Sequence, residues 1–154
     1  MKAPVVLGLA SLGVLAFACA PRARGGDAND SAKAVTARRQ PPRIESALNV
    51  DVGNVHDVRF AFSVTNAGGG KVEMNFPSGK THDVVVLDSL GRQVWRWSDG
   101  RMFTQLLQNK VLRSADTLDF DGHWQNPPRG RYVAVAMLAS NNFPIEQRTA
   151  FVVP

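Results

Sequence analysis

From Ile44 to Pro154 the apolar residues return at every second position, in short runs separated by turn residues. That period belongs to half-buried strands, because successive side chains of a strand point to opposite faces, whereas a helix brings its apolar stripe back every 3.6 residues. In DVRFAFSVTN, Val58, Phe60, Phe62 and Val64 share one face and Asp57, Arg59, Ser63 and Thr65 the other. Asn66-Ala-Gly-Gly-Gly turns the chain, and KVEMNF repeats the alternation with Val72, Met74 and Phe76 inward until Pro77-Ser78-Gly79 interrupts it. THDVVVLDS is more continuously apolar, as a central strand is, and RQVWRWS is a short strand that stops at Asp99-Gly100. DTLDFDGHW aligns Leu118, Phe120 and Trp124, RYVAVAMLA is apolar on both faces, and QRTAFVVP aligns Thr149, Phe151 and Val153.

With a weaker first strand over Ile44 to Val50, the pattern predicts an all-β domain over residues 44–154, an immunoglobulin-like antiparallel β-sandwich of about seven to eight strands. Met102 to Asn109 is the exception, for Phe103, Leu106 and Leu107 have helical spacing and predict one or two turns of helix with those three side chains inward. The domain contains no cysteine, so its core rests on packing alone.

The net charge of +5 and the pI near 10 would suit an acidic partner if the charge sat on the domain. It does not. Residues 46–154 hold eleven Lys/Arg against ten Asp/Glu, and residues 21–45 hold six against three. The domain shows no basic stripe with interleaved aromatics, which argues against nucleic acid as a partner.

Ahead of the domain, Lys2 followed by PVVLGLASLGVLAFA reads as a signal peptide over residues 1–18. Ala16-Phe17-Ala18-Cys19 admits two processing routes: cleavage that releases a soluble chain beginning at Cys19, or lipid attachment to Cys19 as in a bacterial lipobox. Cys19 is the one cysteine of the chain and has no internal disulfide partner. Lipidation is therefore the expectation, with residues 19–43 as anchor and flexible linker: apart from Cys19 they are Gly, Pro, Ala, Arg and polar residues with almost no large apolar side chain. The resulting expectation is an exported monomer held at the cell envelope, with the membrane as partner through its lipid.

Catalytic chemistry finds little footing. His56, His82 and His123 fall on different predicted strands, so no metal site and no cofactor are expected. His56-Asp57 and His82-Asp83 are neighbours along strands, which sends each pair to opposite faces and rules out a dyad. Asp119 and Asp121 share an exposed face beyond Asp116 and read as solvation. Phosphate loops, nucleophile elbows and zinc helices have no match, and the chain is expected not to be an enzyme.

One combination is more specific. Phe76-Pro77-Ser78-Gly79, then Val94-Trp95-Arg96-Trp97-Ser98, then Phe103-Thr104-Gln105, with Trp124 and Gly130-Arg131-Tyr132 closing the series, resembles the BsuPI family over most of residues 46–154. The resemblance implies an immunoglobulin-like sandwich and, as in the founding member, inhibition of a subtilisin-like serine protease. That founding type is cytoplasmic and untethered; an export signal here redirects the expected partner to an extracytoplasmic serine protease or another envelope protein. Trp95 and Trp97 share a face, so Trp95 is expected in the core, while Trp97, Ser98, Asp99, Gly100, Arg101, Met102 and Phe103 form the expected protease-binding turn, stiffened by Trp95 and Leu106 beneath it. The loop Ser140 to Ile145, with Pro144 after Phe143, is a second candidate. A noncatalytic envelope binding or assembly module is the alternative function.

Overall fold

The computed structural model describes residues 42–54 and 57–154. The signal peptide, Cys19, nearly all of the linker and His56 lie outside them. Nine strands follow one another: β1 (Ile44–Asn54), β2 (Asp57–Asn66), β3 (Val72–Phe76), β4 (His82–Asp88), β5 (Gln93–Arg96), β6 (Gln108–Leu112), β7 (Thr117–Gln125), β8 (Gly130–Leu138) and β9 (Ile145–Val153). The described residues hold no helix.

All pairings are antiparallel. One sheet has the order β1-β2-β7, a second β5-β4-β8-β9, and β3 pairs with β6. The alternation read from the sequence sets which side chains meet. Val58, Phe60, Phe62 and Val64 of β2 lie opposite Trp124, Gly122, Phe120 and Leu118 of β7. On β4 and β8, Val84 and Val86 lie opposite Ala136 and Ala134. These faces close on each other through aromatic contacts that cross between the sheets. Phe60 stacks on Trp95 with centroids 5.3 Å apart, Trp95 on Trp124 at 6.3 Å, and Trp124 meets Tyr132 edge-on at 5.1 Å. Trp95 is thus a packing residue, as its parity predicted. Along one side β1 is fastened to β9, where Gln147 Nε2 donates to Ser46 Oγ at 2.8 Å and Thr149 Oγ1 to the Leu48 carbonyl at 3.1 Å.

This is an antiparallel β-sandwich of immunoglobulin-like type. It includes a tyrosine corner, in which Tyr132 Oη donates to the carbonyl of Pro128, four residues upstream, at 2.8 Å. A buried amide holds the turn after β2: Asn66 Nδ2 donates to the carbonyls of Gly70, Leu112 and Arg113, and its Oδ1 accepts from the Gly68 amide. Every polar atom of that side chain is satisfied, which is the condition for burying an amide at low cost.

Two expectations fail at one place. Met102 to Leu107 has no regular secondary structure, and from Gln108 the chain becomes β6, the strand that alternation did not reveal. Leu106 and Leu107 do not point inward; they are 72% and 79% exposed. The physical reason is pairing. Residues Gln108 to Leu112 register against Phe76 to Val72, and those ladder bonds outweigh a weak, short helical preference.

Candidate functional site

The turn after β5 begins where the chain leaves the sheet: the Trp97 amide still donates to the Val84 carbonyl at 2.8 Å, and the Arg101 amide closes a turn onto Ser98 at 3.1 Å. Gly100 sits at φ +72°, a left-handed conformation that side-chain-bearing residues adopt at a cost. The turn re-aims the chain so that Arg101 starts an irregular, largely exposed run that ends at β6.

Trp97 is the platform of this run. Its ring, half-buried, packs at 4.0 Å on His82, at 5.7 Å on Phe103, and lies under the Arg101 guanidinium at 4.4 Å. Arg101 Nε also donates to the Trp97 carbonyl at 2.8 Å. Three residues on, the Thr104 carbonyl accepts from the Gly79 amide at 2.8 Å. Gly79 has to be glycine for that approach, because a Cβ there would stand 2.6 Å from Thr104 Oγ1 and 3.2 Å from its backbone nitrogen. Between these two anchors Met102 is 98% exposed. Phe103 is turned down onto Trp97 rather than outward. The stiffening layer differs from the expected one accordingly, for Leu106 is in solvent and Trp95 belongs to the interior; Trp97 and Phe103 take their place.

A residue whose sequence context excludes a dyad with His82 but gives no other role organises the same region. Asp83, on the outer face of β4 and 3% exposed, accepts on Oδ2 from Lys80 Nζ at 2.9 Å, Arg96 Nε at 2.8 Å and Ser98 Oγ at 2.9 Å. Burial pushes its carboxyl up, but the bonds from Lys80, Ser98 and Arg96 outweigh burial and hold it below the ordinary carboxylate range. Its neighbour His82 points the other way, into the core between Trp97 and Phe120, as strand parity required. Neither ring nitrogen of His82 has a partner among the described residues, and burial lowers its pKa to about 4.

The remaining titratable groups are scattered. His123 Nε2 sits against Asp57 Oδ1 on the outer face of the first sheet. Beside that pair a groove of about 580 Å³, lined among others by Asp51, Arg59, Asp121 and Arg101, carries charges of both signs. Asp116 caps a turn by accepting from the Arg113 amide at 2.8 Å. Among the described residues no group of three or more His, Cys, Asp or Glu could hold a metal ion. The second candidate loop, Ser140 to Ile145, is docked by its own backbone and side chains: the Asn141 amide donates to the Asn75 carbonyl, Asn142 Nδ2 donates to the Glu73 carbonyl, and Asn142 Oδ1 accepts from the Asn75 amide. Phe143 packs against the core.

The residues that build the anchors, Gly79, Trp97 and Thr104, are the ones that carry the sequence motif, and the family comparison covers them all. The model of the family described as intracellular proteinase inhibitor, BsuPI, matches residues 45–143. The chain belongs to the BsuPI family. No curated protein matches it. Among solved structures, β-glucosidase EmGH1 from Erythrobacter marinus is 15% identical with a TM-score of 0.41, over 72% of this chain and 15% of that one. The β-glucosidase 3B of Thermotoga neapolitana is 14% identical with a TM-score of 0.42, over 73% and 16%. The CARDB domain of the PF1109 protein from Pyrococcus furiosus is 18% identical with a TM-score of 0.39, over 73% and 91%. The BsuPI chain thus spans only a small part of each glycosidase it matches. The description of the family, proteinase inhibitor, implies a protease as the general class of partner.

Proposed function

We propose that this BsuPI domain inhibits an extracytoplasmic subtilisin-like serine protease, is lipid-anchored at Cys19, and presents Trp97 to Phe103 as a substrate-like segment with Met102 entering the primary apolar pocket of the enzyme. The supporting observation is the free position of Met102 between two fixed points. An inhibitory segment has to bind as substrate does and yet resist cutting, and affinity of that kind comes from ordering the segment before the encounter. The Arg101 bond to the Trp97 carbonyl fixes one flank and the Gly79 bond to the Thr104 carbonyl fixes the other. Attack of the protease serine on the Met102 carbonyl carbon expels the Phe103 nitrogen. Phe103, packed on Trp97, keeps that nitrogen close, so re-formation of the amide competes with hydrolysis.

The full chain titrated against subtilisin-type enzymes should inhibit at about one equivalent. Met102→Ala should weaken inhibition by 10-fold or more, roughly the loss of one buried apolar side chain. Absence of inhibition at high micromolar excess, or equal inhibition by Met102→Ala, rejects the reading. It would leave Met102, Leu106 and Leu107 as the exposed apolar contacts of a noncatalytic envelope module. Fatty-acid labelling that survives Cys19→Ala rejects the anchor.

A further inference from the structure

We infer that Asp83 is the positioning residue that makes the exposed segment an inhibitor rather than a substrate, because its one carboxylate oxygen ties together the two turns that hold the segment's flanks. The inference rests on the inhibitor reading. Lys80, one donor, is adjacent to Gly79, whose amide holds Thr104. Ser98, another, follows Trp97, whose carbonyl holds Arg101. Arg96, the third, is the last residue of β5 before that turn. The two turns flank the β4–β5 hairpin, one at each end, and the carboxylate is the group on which donors from both converge.

The chemistry suits a clamp. Bonds from a cation or hydroxyl to a buried carboxylate are charge-assisted and stronger than neutral ones, and removing the acceptor leaves partly buried Lys80 and Arg96 uncompensated. The placement suits it as well. Val84 and Val86 on the inner face of β4 make the core, whereas Asp83 and Val85 face outward, so an apolar residue at 83 would serve the strand equally well. The core does not need Asp83; the turns do.

When the clamp loosens, the flanks separate after serine attack has formed an ester at the Met102 carbonyl and released the Phe103 amine, and water then hydrolyses that ester to a Met102 carboxylate and the free serine hydroxyl. The test uses the full chain as wild type, Asp83→Asn, Ser98→Ala and Ser98→Thr. The Ser98 pair keeps the carboxylate and changes one hydroxyl donor, which guards against a charge change that unfolds the domain. Amide exchange at Gly79 and Arg101 should accelerate about tenfold in Asp83→Asn and measurably in Ser98→Ala, with β2 and β8 unchanged and Ser98→Thr restored. Unchanged exchange at both amides overturns the clamp whatever the protease does. With a subtilisin-type enzyme, mass spectrometry should find Asp83→Asn hydrolysed between Met102 and Phe103 at least about tenfold faster than wild type. Weaker inhibition without faster cutting overturns the positioning role. Accelerated exchange together with a wild-type chain that inhibits no protease overturns the inhibitor reading instead, so the two failures are distinguishable.

Discussion

Strand β2 and the segment from Arg101 to Leu107 are both rich in large apolar side chains, yet β2 buries Val58, Phe60, Phe62 and Val64 while the segment leaves Met102, Leu106 and Leu107 in solvent. The difference is one of partners. Each apolar residue of β2 faces a counterpart across the sandwich or along β7. The segment has one such partner, Trp97, and Phe103 takes it. What is left over is apolar surface held in place by backbone bonds to Gly79 and a side-chain bond to the Trp97 carbonyl. Apolar surface with no internal use, presented on an ordered backbone, is the property expected of a recognition segment.

That contrast can be broken by truncating each side. Phe62→Ala removes a ring that stacks on Phe120 at 5.8 Å and should lower stability by about 3–5 kcal/mol in chemical denaturation. An unshifted midpoint would mean that β2 is not the core strand described. Asn66→Ala, at the end of β2, strips the partners from three carbonyls and an amide and should cost about 2–3 kcal/mol by the same measurement.

His82 sharpens the boundary between the two regions, since its ring lies in the core and supports Trp97 from below. Its folded pKa of about 4 lies under the ordinary 6.5, so the unfolded chain binds a proton that the folded one excludes. Stability is then fully present above pH 6.5, falls as pH drops toward 4, and levels off below. The loss should be roughly 1–3 kcal/mol, and His82→Phe should flatten that part of the pH profile. A slope identical in the variant would assign the effect elsewhere. Smallest is Met102→Ala, which should leave stability within about 0.5 kcal/mol while inhibition falls; a large loss of stability would mean that Met102 is not the free residue described.

How far the sequence could be read follows the same division. The strands that form the core were legible because each repeats its alternation over several residues, and parity correctly placed Trp95 in the packing and sent His82 and Asp83 to opposite faces. Strand β6 was not, since only Leu112 of its five residues is fully buried and its polar residues mask the period. The spacing of Phe103, Leu106 and Leu107 imitated a helix because nothing local distinguishes a helical stripe from a chance recurrence over five residues. Asp83 could have been singled out as a lone charge before Val84-Val85-Val86, but its donors come from positions 80, 96 and 98, and only the register of β4 against β5 brings the last two to it.

By itself, then, the sequence determined the fold class and the inward face of most strands, because alternation is a local pattern read within one strand. It also determined the family, through residues that turn out to build the anchors of the exposed segment. Tertiary structure alone decided which apolar residues of that segment have a partner, and that Asp83 joins two turns. Those outcomes depend on contacts that a hairpin register and two turns create between side chains, and no local period encodes them.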